Sequence, residues 1–239
     1  MTIKALAFDV FGTVVDWRAS VARDARIFLG QLDRNDIDPF SFAQSWRDAF
    51  QPRMNECRSG ARPYNKLETL IREALTETIE RFGINDEAEK GQLSWLADAW
   101  CRLDPWPDVT EGLTQLQKRF PLIALSNGNV ALTLKLARYG EYRWDAILGA
   151  EVCRTYKPLP APYDQAVEML GIRPEELCLV AAHEDDLAAG SARGLSTAYV
   201  NRPHEFGSDE VHEPHGRWCW NATDFVALAR AIPDPSERW

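Results

Sequence analysis

The segment Ile3-Lys4-Ala5-Leu6-Ala7-Phe8-Asp9-Val10-Phe11-Gly12-Thr13 decides how the rest of the chain is read. From Ile3 to Val10 it is a short apolar run broken only by Lys4 and Asp9. A run of that length, followed by a glycine, fits a buried strand of a parallel sheet that ends in a loop. Gly12 lets the backbone turn tightly or come close to a ligand. A carboxylate at such a strand end is either aimed into a cleft as a nucleophile or caps a turn. The segment alone leaves both readings open for Asp9.

Outward from this strand the pattern changes period. From Trp17 to about Leu103 the chain reads as helical. Val21, Ala25, Phe28 and Leu29 recur at helical spacing, as do Leu67, Leu70, Ile71, Leu75 and Ile79. Gly83 predicts a stop after Arg81. Asp104-Pro105-Trp106-Pro107 is a break. Beyond it helices and strands alternate: helix Val109 to Arg119, strand Leu122 to Ser126, helix Val130 to Tyr139 and a short strand at Ala146 to Leu148. Helix Ala161 to Leu170, strand Leu177 to Ala182, a helix after Asp186 and strand Thr197 to Val200 follow. The proline-rich stretches at 104–107, 158–162 and 232–234 read as loops or a tail.

Strands alternating with helices imply an α/β fold with a parallel sheet covered on both faces. The helical stretch after the first strand implies a cap over that sheet. Ligands in such sheets bind at the carboxyl ends of the strands. That rule selects Asp9 to Thr13, Ser126-Asn127, the loop holding Lys157, and Ala182 to Asp186.

Composition narrows the function classes. With 239 residues, 45% hydrophobic and 26% charged, the chain has the profile of an ordinary globular protein. No apolar run reaches the ~18 residues of a membrane span. The N-terminus enters a strand too directly for a signal peptide. The five cysteines are odd in number and widely spaced, which argues against a disulfide framework or a zinc site. A reducing cytoplasm is the expected compartment. A net charge of −9 removes the basic footprint of a nucleic-acid binder. It also repels small anions at long range, so an anionic substrate needs local cations.

Each remaining candidate has a plain reading beside a chemical one. Ser126-Asn127-Gly128-Asn129 offers donors to an anion at a helix amino end, or merely caps that helix. Lys157 sits before a proline that restrains its loop; taken alone it is one solvated lysine among many. In His183-Glu184-Asp185-Asp186 an acid fixes a lysine or a water, or the run is a charged first turn that suits the helix dipole. For Glu184 and Asp185 the second reading is preferred. Trp46 and Phe50, four apart, suggest packing within the cap.

Taken together, these stations stand in one order: Asp9-Val10-Phe11-Gly12-Thr13, Ser126-Asn127, Lys157-Pro158, and Asp186 after an apolar strand. The order resembles the haloacid dehalogenase (HAD) superfamily, and specifically the type II L-2-haloacid dehalogenases, along nearly the whole chain. Trp46-Arg47, Tyr163, Leu179-Val180-Ala181-Ala182-His183 and Asn201-Arg202-Pro203 extend the match. The resemblance implies a Rossmann-like core over 1–16 and 104–239 with an α-helical cap domain over 17–103. Phosphatases of the superfamily typically carry a second Asp two residues after the nucleophile, where this chain has Phe11. They also carry a metal-binding Asp four residues before the acid at Asp186, where this chain has Ala182. Magnesium needs several oxygen ligands, so neither a metal nor another cofactor is expected.

By the same resemblance, Asp9 attacks the halogen-bearing carbon and forms an ester, which water then hydrolyses at the Asp9 carbonyl. Arg47 and Asn127 receive the halide. Lys157 keeps Asp9 ionised, and Thr13 supports its loop. Ser126 holds the substrate carboxylate with help from loop N–H groups. Phe11, Tyr163 and Trp46 belong to the substrate pocket. Asp186 and His183 position or activate the water, with His183 a candidate general base. His183 stands where the family commonly has Asn, Ala181 where Ser is common, and Asp185 where some members have an aromatic. The implied partners are a small (S)-2-haloacid and its halide, with haloacetates including fluoroacetate in the range. A homodimer is expected, with no nucleic acid and no membrane. A magnesium-dependent phosphatase or phosphonatase of the same fold, and a non-catalytic binder of small acids, are the alternatives.

Overall fold

The computed structural model describes residues 2–84, 90–207 and 214–235. The chain enters through β1 (Ala5–Phe8), whose side chains are all fully buried. A short strand, β2 (Val15–Asp16), leads directly into helix α1 (Trp17–Gln31), and the Asp16 carboxylate caps that helix by accepting from the Ala19 N–H. Helix α2 (Pro39–Ser59) starts in the same way, with Asp38 capping Ser41 and Pro39 in the first turn. Helices α3 (Leu67–Arg81) and α4 (Lys90–Ala97) and a 3₁₀ turn over Ala99–Cys101 follow. The chain returns through β3 (Asp104–Pro105), which pairs antiparallel with β2. The helical insert thus leaves and re-enters along one two-stranded ribbon. The segment at 104–107, expected as a plain break, carries half of that ribbon. A two-residue edge strand tolerates its proline.

Inside the insert, α2 packs between α1 and α3. Its buried stripe is Phe42, Ala43, Trp46, Ala49, Phe50 and Met54, at the spacing expected of a helix facing a core. Trp46 donates its indole N–H to the Ile71 carbonyl at 2.8 Å. Trp100, in the 3₁₀ turn, meets Trp46 edge-on at 6.0 Å and stacks on Trp17 at 5.9 Å with planes 9° apart. Such pairs are worth about 0.5–1.5 kcal/mol beyond area burial.

The rest of the chain alternates: α5 (Val109–Gln117), β4 (Leu122–Ser126), α6 (Val130–Tyr139), β5 (Ala146–Gly149), α7 (Ala150–Cys153) and α8 (Pro160–Leu170). Then come β6 (Leu177–Ala181), α9 (Glu184–Ala192), β7 (Ser196–Val200), β8 (Trp220–Ala222) and α10 (Phe225–Ala231). The large sheet has the order β5-β4-β1-β6-β7-β8, and each neighbouring pair is parallel. Side chains alternate between two apolar clusters. Leu6, Phe8, Ala124, Val180 and Val200 join one; Ala5, Ala7, Ile123, Leu125, Leu179 and Ala181 join the other. Both faces are therefore covered, as the near-continuous apolar strands require.

Three details differ from the pattern read in the sequence. Helix α9 begins at Glu184 rather than after Asp186, which puts Asp186 in its first turn. Pro160 opens α8 instead of lying in a loop, because proline's fixed φ and missing N–H suit a first helical turn. Strand β8 and helix α10 were not anticipated. Three residues are too few to show a period, although Asp224 caps α10 by accepting from Ala227.

Register sets the position of the site. Phe8 lies level with Ala124 on one side and Val180 on the other. The loops after β1, β4 and β6 therefore open at one edge of the sheet, the carboxyl end.

Close helix contact is built in at Gly112, where an added Cβ would fall 2.3 Å from the Phe225 Cβ and 2.7 Å from its carbonyl carbon. Gly112→Ala is expected to force α5 and α10 apart and to cost about 1–3 kcal/mol. The measurement is a lower urea midpoint at unchanged slope; an unshifted midpoint would show that the two helices slide past the methyl group at no cost.

Candidate active site

Asp9 follows directly on β1, and its N–H donates to the Val180 carbonyl at 3.0 Å. This ties the residue to the strand mouth. Gly12 has φ +81°, a left-handed conformation natural to glycine. Thr13 reaches back: its hydroxyl donates to Asp9 Oδ2 at 2.8 Å and accepts from the Ala182 N–H at 2.9 Å. One side chain thus joins the loops after β1 and β6.

Lys157 Nζ donates to Asp9 Oδ1 at 2.9 Å and also to Asp186 Oδ2. The lysine is 4% exposed. Burial alone would raise the Asp9 carboxyl; the Lys157 charge and the hydrogen bonds from His183 and Lys157 outweigh it and hold Asp9 well below the usual carboxylate range. Burial alone would lower Lys157, but Asp186 and Asp9 hold it above an ordinary lysine. Asp186 accepts from the Tyr163 hydroxyl at 2.5 Å, and burial pushes its carboxyl up. Asn127 Oδ1 accepts from the Lys157 N–H at 2.7 Å, which fixes the lysine's main chain.

His183 stands between two acids. Its Nδ1 lies 3.1 Å from Asp9 Oδ2, and its Nε2 lies 2.9 Å from Glu205 Oε2. A neutral ring has one N–H and would turn a lone pair onto one of these carboxylates. Burial disfavours the charged ring, but Glu205 and the hydrogen bond to Asp9 raise its pKa well above that of an ordinary histidine. A ring carrying both protons would donate to Asp9 and to Glu205 at once. In that form it would keep no lone pair for general-base work.

Arg47 projects from α2, with its guanidinium 4.8 Å from the Trp17 ring and 5.3 Å from the Phe206 ring. Among the described residues it has neither a hydrogen bond nor an ion pair. These groups surround a cavity of about 230 Å³. Its wall includes Asp9, Phe11, Arg47, Asn127, Lys157, His183 and Asp186, all predicted from the sequence. Ser126 is not on this wall: its hydroxyl turns to accept from the Gly128 N–H at 3.0 Å. Tyr163 lies behind Asp186 and is fully buried. Trp46 is packed inside the insert. Thr13 touches the site only through Asp9.

The sequence left several wall residues unassigned, among them Trp100, Arg58 and Glu205, and Trp17, for which core packing is the plainer sequence reading, lines the cavity too. Arg58 donates to Asn55 Oδ1 at 2.5 Å. Glu205 follows β7, so a rule extended to every carboxyl-end loop would have flagged its segment. Arg202 anchors that loop, donating to the Thr13 carbonyl at 2.9 Å and to both oxygens of Asp108 at 2.7 and 3.0 Å.

The donor set does not suit magnesium. The gap between Asp9 and Asp186 is filled by the Lys157 ammonium. Positions 11 and 182 carry Phe and Ala, and a hard cation needs several oxygen ligands.

A family model described as haloacid dehalogenase-like hydrolase matches residues 3–194. The (S)-2-haloacid dehalogenase 4A of Burkholderia cepacia is 29% identical over 205 residues, 84% of each chain. The crystal structure of the defluorinating L-2-haloacid dehalogenase Rha0230 superposes with a TM-score of 0.91 at 39% identity, covering 95% of this chain and 94% of that one. That of the L-2-haloacid dehalogenase PA0810 gives 0.90 at 36% identity, covering 95% and 97%. With the model spanning most of its length, this chain belongs to the haloacid dehalogenase-like hydrolase family.

Proposed function

We propose that the chain is a hydrolytic 2-haloacid dehalogenase, converting (S)-2-haloacids to 2-hydroxyacids and halide through an ester of Asp9. One arrangement carries this reading: a buried Asp9, held well below the usual carboxylate range, shares its cavity with an arginine that makes no hydrogen bond or ion pair among the described residues. The names of the relatives point the same way. Haloacetates belong in the range, since a haloacetate dehalogenase of Moraxella is 27% identical over 87% of this chain and 90% of its own. Fluoroacetate is included by the likeness to the defluorinating enzyme. Residues 17–103 then serve as the cap and the remainder as the core.

Lone pairs select the attacking atom. Asp9 Oδ2 already faces two donors, Thr13 and His183, whereas Oδ1 has Lys157 alone. A carboxylate oxygen accepts two bonds readily, so Oδ1 keeps a lone pair for carbon. It attacks opposite the carbon–halogen bond, the configuration inverts, and the bonding pair leaves with the halide. Arg47 receives that charge. Its aromatic shelf holds the guanidinium without neutralising it. Asn127, whose amide first clamps Lys157, adds a donor on the leaving side. Loop N–H groups hold the substrate carboxylate. Water then adds to the ester carbonyl, with Asp186, raised by its burial, taking the proton.

Three outcomes follow from this chemistry. In a single turnover in H₂¹⁸O with chloroacetate or (S)-2-chloropropionate, the label enters the Asp9 peptide and the hydroxyacid stays unlabelled; label in the product with none in Asp9 sinks the ester. Arg47→Ala is expected to lower kcat about 10²–10³-fold, the scale of losing one preorganised donor at a developing charge; halide release at the wild-type rate removes Arg47 from the leaving side. The third outcome concerns pH. Asp9 is depressed and stays ionised through the weakly acidic range, and Lys157 is raised and stays charged through the weakly alkaline range. So kcat/KM should be flat across neutrality. A neutral His183 base, acting after the halide has left, would instead give ester hydrolysis an acid limb near pH 6.5, which the decay of the ester followed by intact mass would reveal.

A further inference from the structure

The dehalogenation steps above leave Glu205 unused, although it is 3% exposed and lines the cavity. Its carboxylate meets His183 Nε2 at 2.9 Å and accepts from the Trp17 indole N–H at 3.1 Å. Space for it exists because position 12 is glycine. A Cβ there would lie 2.2, 2.5 and 2.8 Å from the three atoms of the Glu205 carboxyl group. Placing a second acid one imidazole ring away from the nucleophile is costly unless the ring between them is charged.

Resting on the ester mechanism, we propose that Glu205 is a positioning residue for the hydrolytic half-reaction: it holds His183 doubly protonated, so that a charged Nδ1–H donates to Asp9 Oδ2 while negative charge develops there. In the ester, Oδ1 is bonded to the substrate carbon and Oδ2 is the carbonyl oxygen. The water oxygen bonds to Asp9 Cγ, its proton passes to Asp186, and the carbonyl π pair moves onto Oδ2. On collapse that pair returns, the Cγ–Oδ1 bond breaks, the departing hydroxyacid oxygen takes the proton from Asp186, and the second water proton, left on the Asp9 acid, passes to solvent to restore the carboxylate. Thr13 and His183 are the donors at Oδ2 throughout. They form a two-donor oxyanion site, and a charged donor makes the stronger bond.

The same cation works against the first half-reaction. Alkylation draws charge away from Asp9, and an imidazolium beside Oδ2 resists that loss. The two steps therefore respond to Glu205 in opposite directions. Charged groups share this cavity from every side: Asp9 after β1, Lys157 before α8, Asp185 and Asp186 on the ring's own helix, Glu205 after β7, and Arg47 and Arg58 on α2.

The test follows chloroacetate turnover by quenched-flow halide release and by the intact mass of the protein. At pH 9, Glu205→Gln should release one equivalent of halide per site in a burst, accumulate the ester, and hydrolyse it about tenfold more slowly than wild type, the scale of a charge-assisted hydrogen bond made neutral. At pH 6 its hydrolysis should recover, because an unassisted histidine titrates near pH 6.5. Wild-type hydrolysis should be equal at both values. His183→Asn should hydrolyse slowly at both, and adding Glu205→Gln to it should slow hydrolysis no further. Equal slowing of Glu205→Gln at pH 6 and 9, slowing confined to alkylation, or a full additional loss in the double variant overturns the assignment. So does an absence of ester in His183→Asn, which stands even where Glu205→Gln fails to fold. A wild-type chain that releases no halide overturns the ester mechanism, and this assignment with it.

Discussion

An ammonium group buried between two carboxylates is the contact on which the rest of the site depends. Lys157 bridges Asp9 and Asp186 with almost no access to water. Taking away one member of such a cluster leaves an uncompensated buried charge, which costs about 3–5 kcal/mol. The three residues come from separate parts of the chain, and their meeting is a demand on the whole sheet. Asp9 and Asp186 need β1 and β6 in register, and Lys157 needs Asn127, at the end of β4, to fix its main chain. One interaction thus specifies the relative placement of three neighbouring strands. A side-chain cation stands between the two carboxylates, and Asp9 beside it is held in one orientation by Lys157 and Thr13.

Charge balance extends this logic to the cavity wall. The wall carries Asp9, Asp185, Asp186 and Glu205 against Arg47, Arg58 and Lys157, so it is balanced only when His183 is protonated. The chain as a whole has a net charge of −9, and at a Debye length of about 8 Å the outer surface does little inside the cavity. The local cations decide what can enter. Arg47 is the notable one, because stacking on Trp17 and Phe206 leaves its charge uncancelled by any acid in contact with it. The cost of burying it shows as a guanidinium drawn below its usual range.

Much of this was legible in the sequence, for reasons that differ between residues. Leu122–Ser126 and Val130–Tyr139 are read to the residue because a fully apolar strand and an amphipathic helix each show their period within their own length. The β2–β3 ribbon and β8 are two and three residues long and exist only through pairing with distant strands. Side-chain direction was harder than position. Ser126 stands at a strand end, where a hydroxyl facing a cavity and one satisfying its own turn have the same sequence. Tyr163 and Trp46 were expected on the pocket wall, but each has a hydroxyl or indole N–H that a buried partner can satisfy. Glu205 was passed over because its meaning depends on a histidine 22 residues away and on the absent side chain of Gly12.

The insert and the Asp9 loop share one network of hydrogen bonds. The Gly12 N–H donates to the Val15 carbonyl at 3.0 Å, and its own carbonyl accepts from the Trp106 indole at 2.8 Å. The Trp106 N–H donates to the Val14 carbonyl at 3.0 Å, and Arg202 holds the carbonyl of Thr13. The short loop that aims Asp9 is therefore bounded on one side by the ribbon carrying the insert and on another by the loop carrying Glu205. Leaving these carbonyls unpaired in so dry a place would cost about 1–3 kcal/mol each. Reorienting the ribbon would strain the same backbone that sets the direction of the carboxylate. Arg47, on the insert, and Asp9, just after the core strand, are thus linked through one hydrogen-bonded connection. The in-line displacement proposed above relies on that connection, since in it the attacking oxygen and the receiver of the leaving group must lie on opposite sides of one carbon atom.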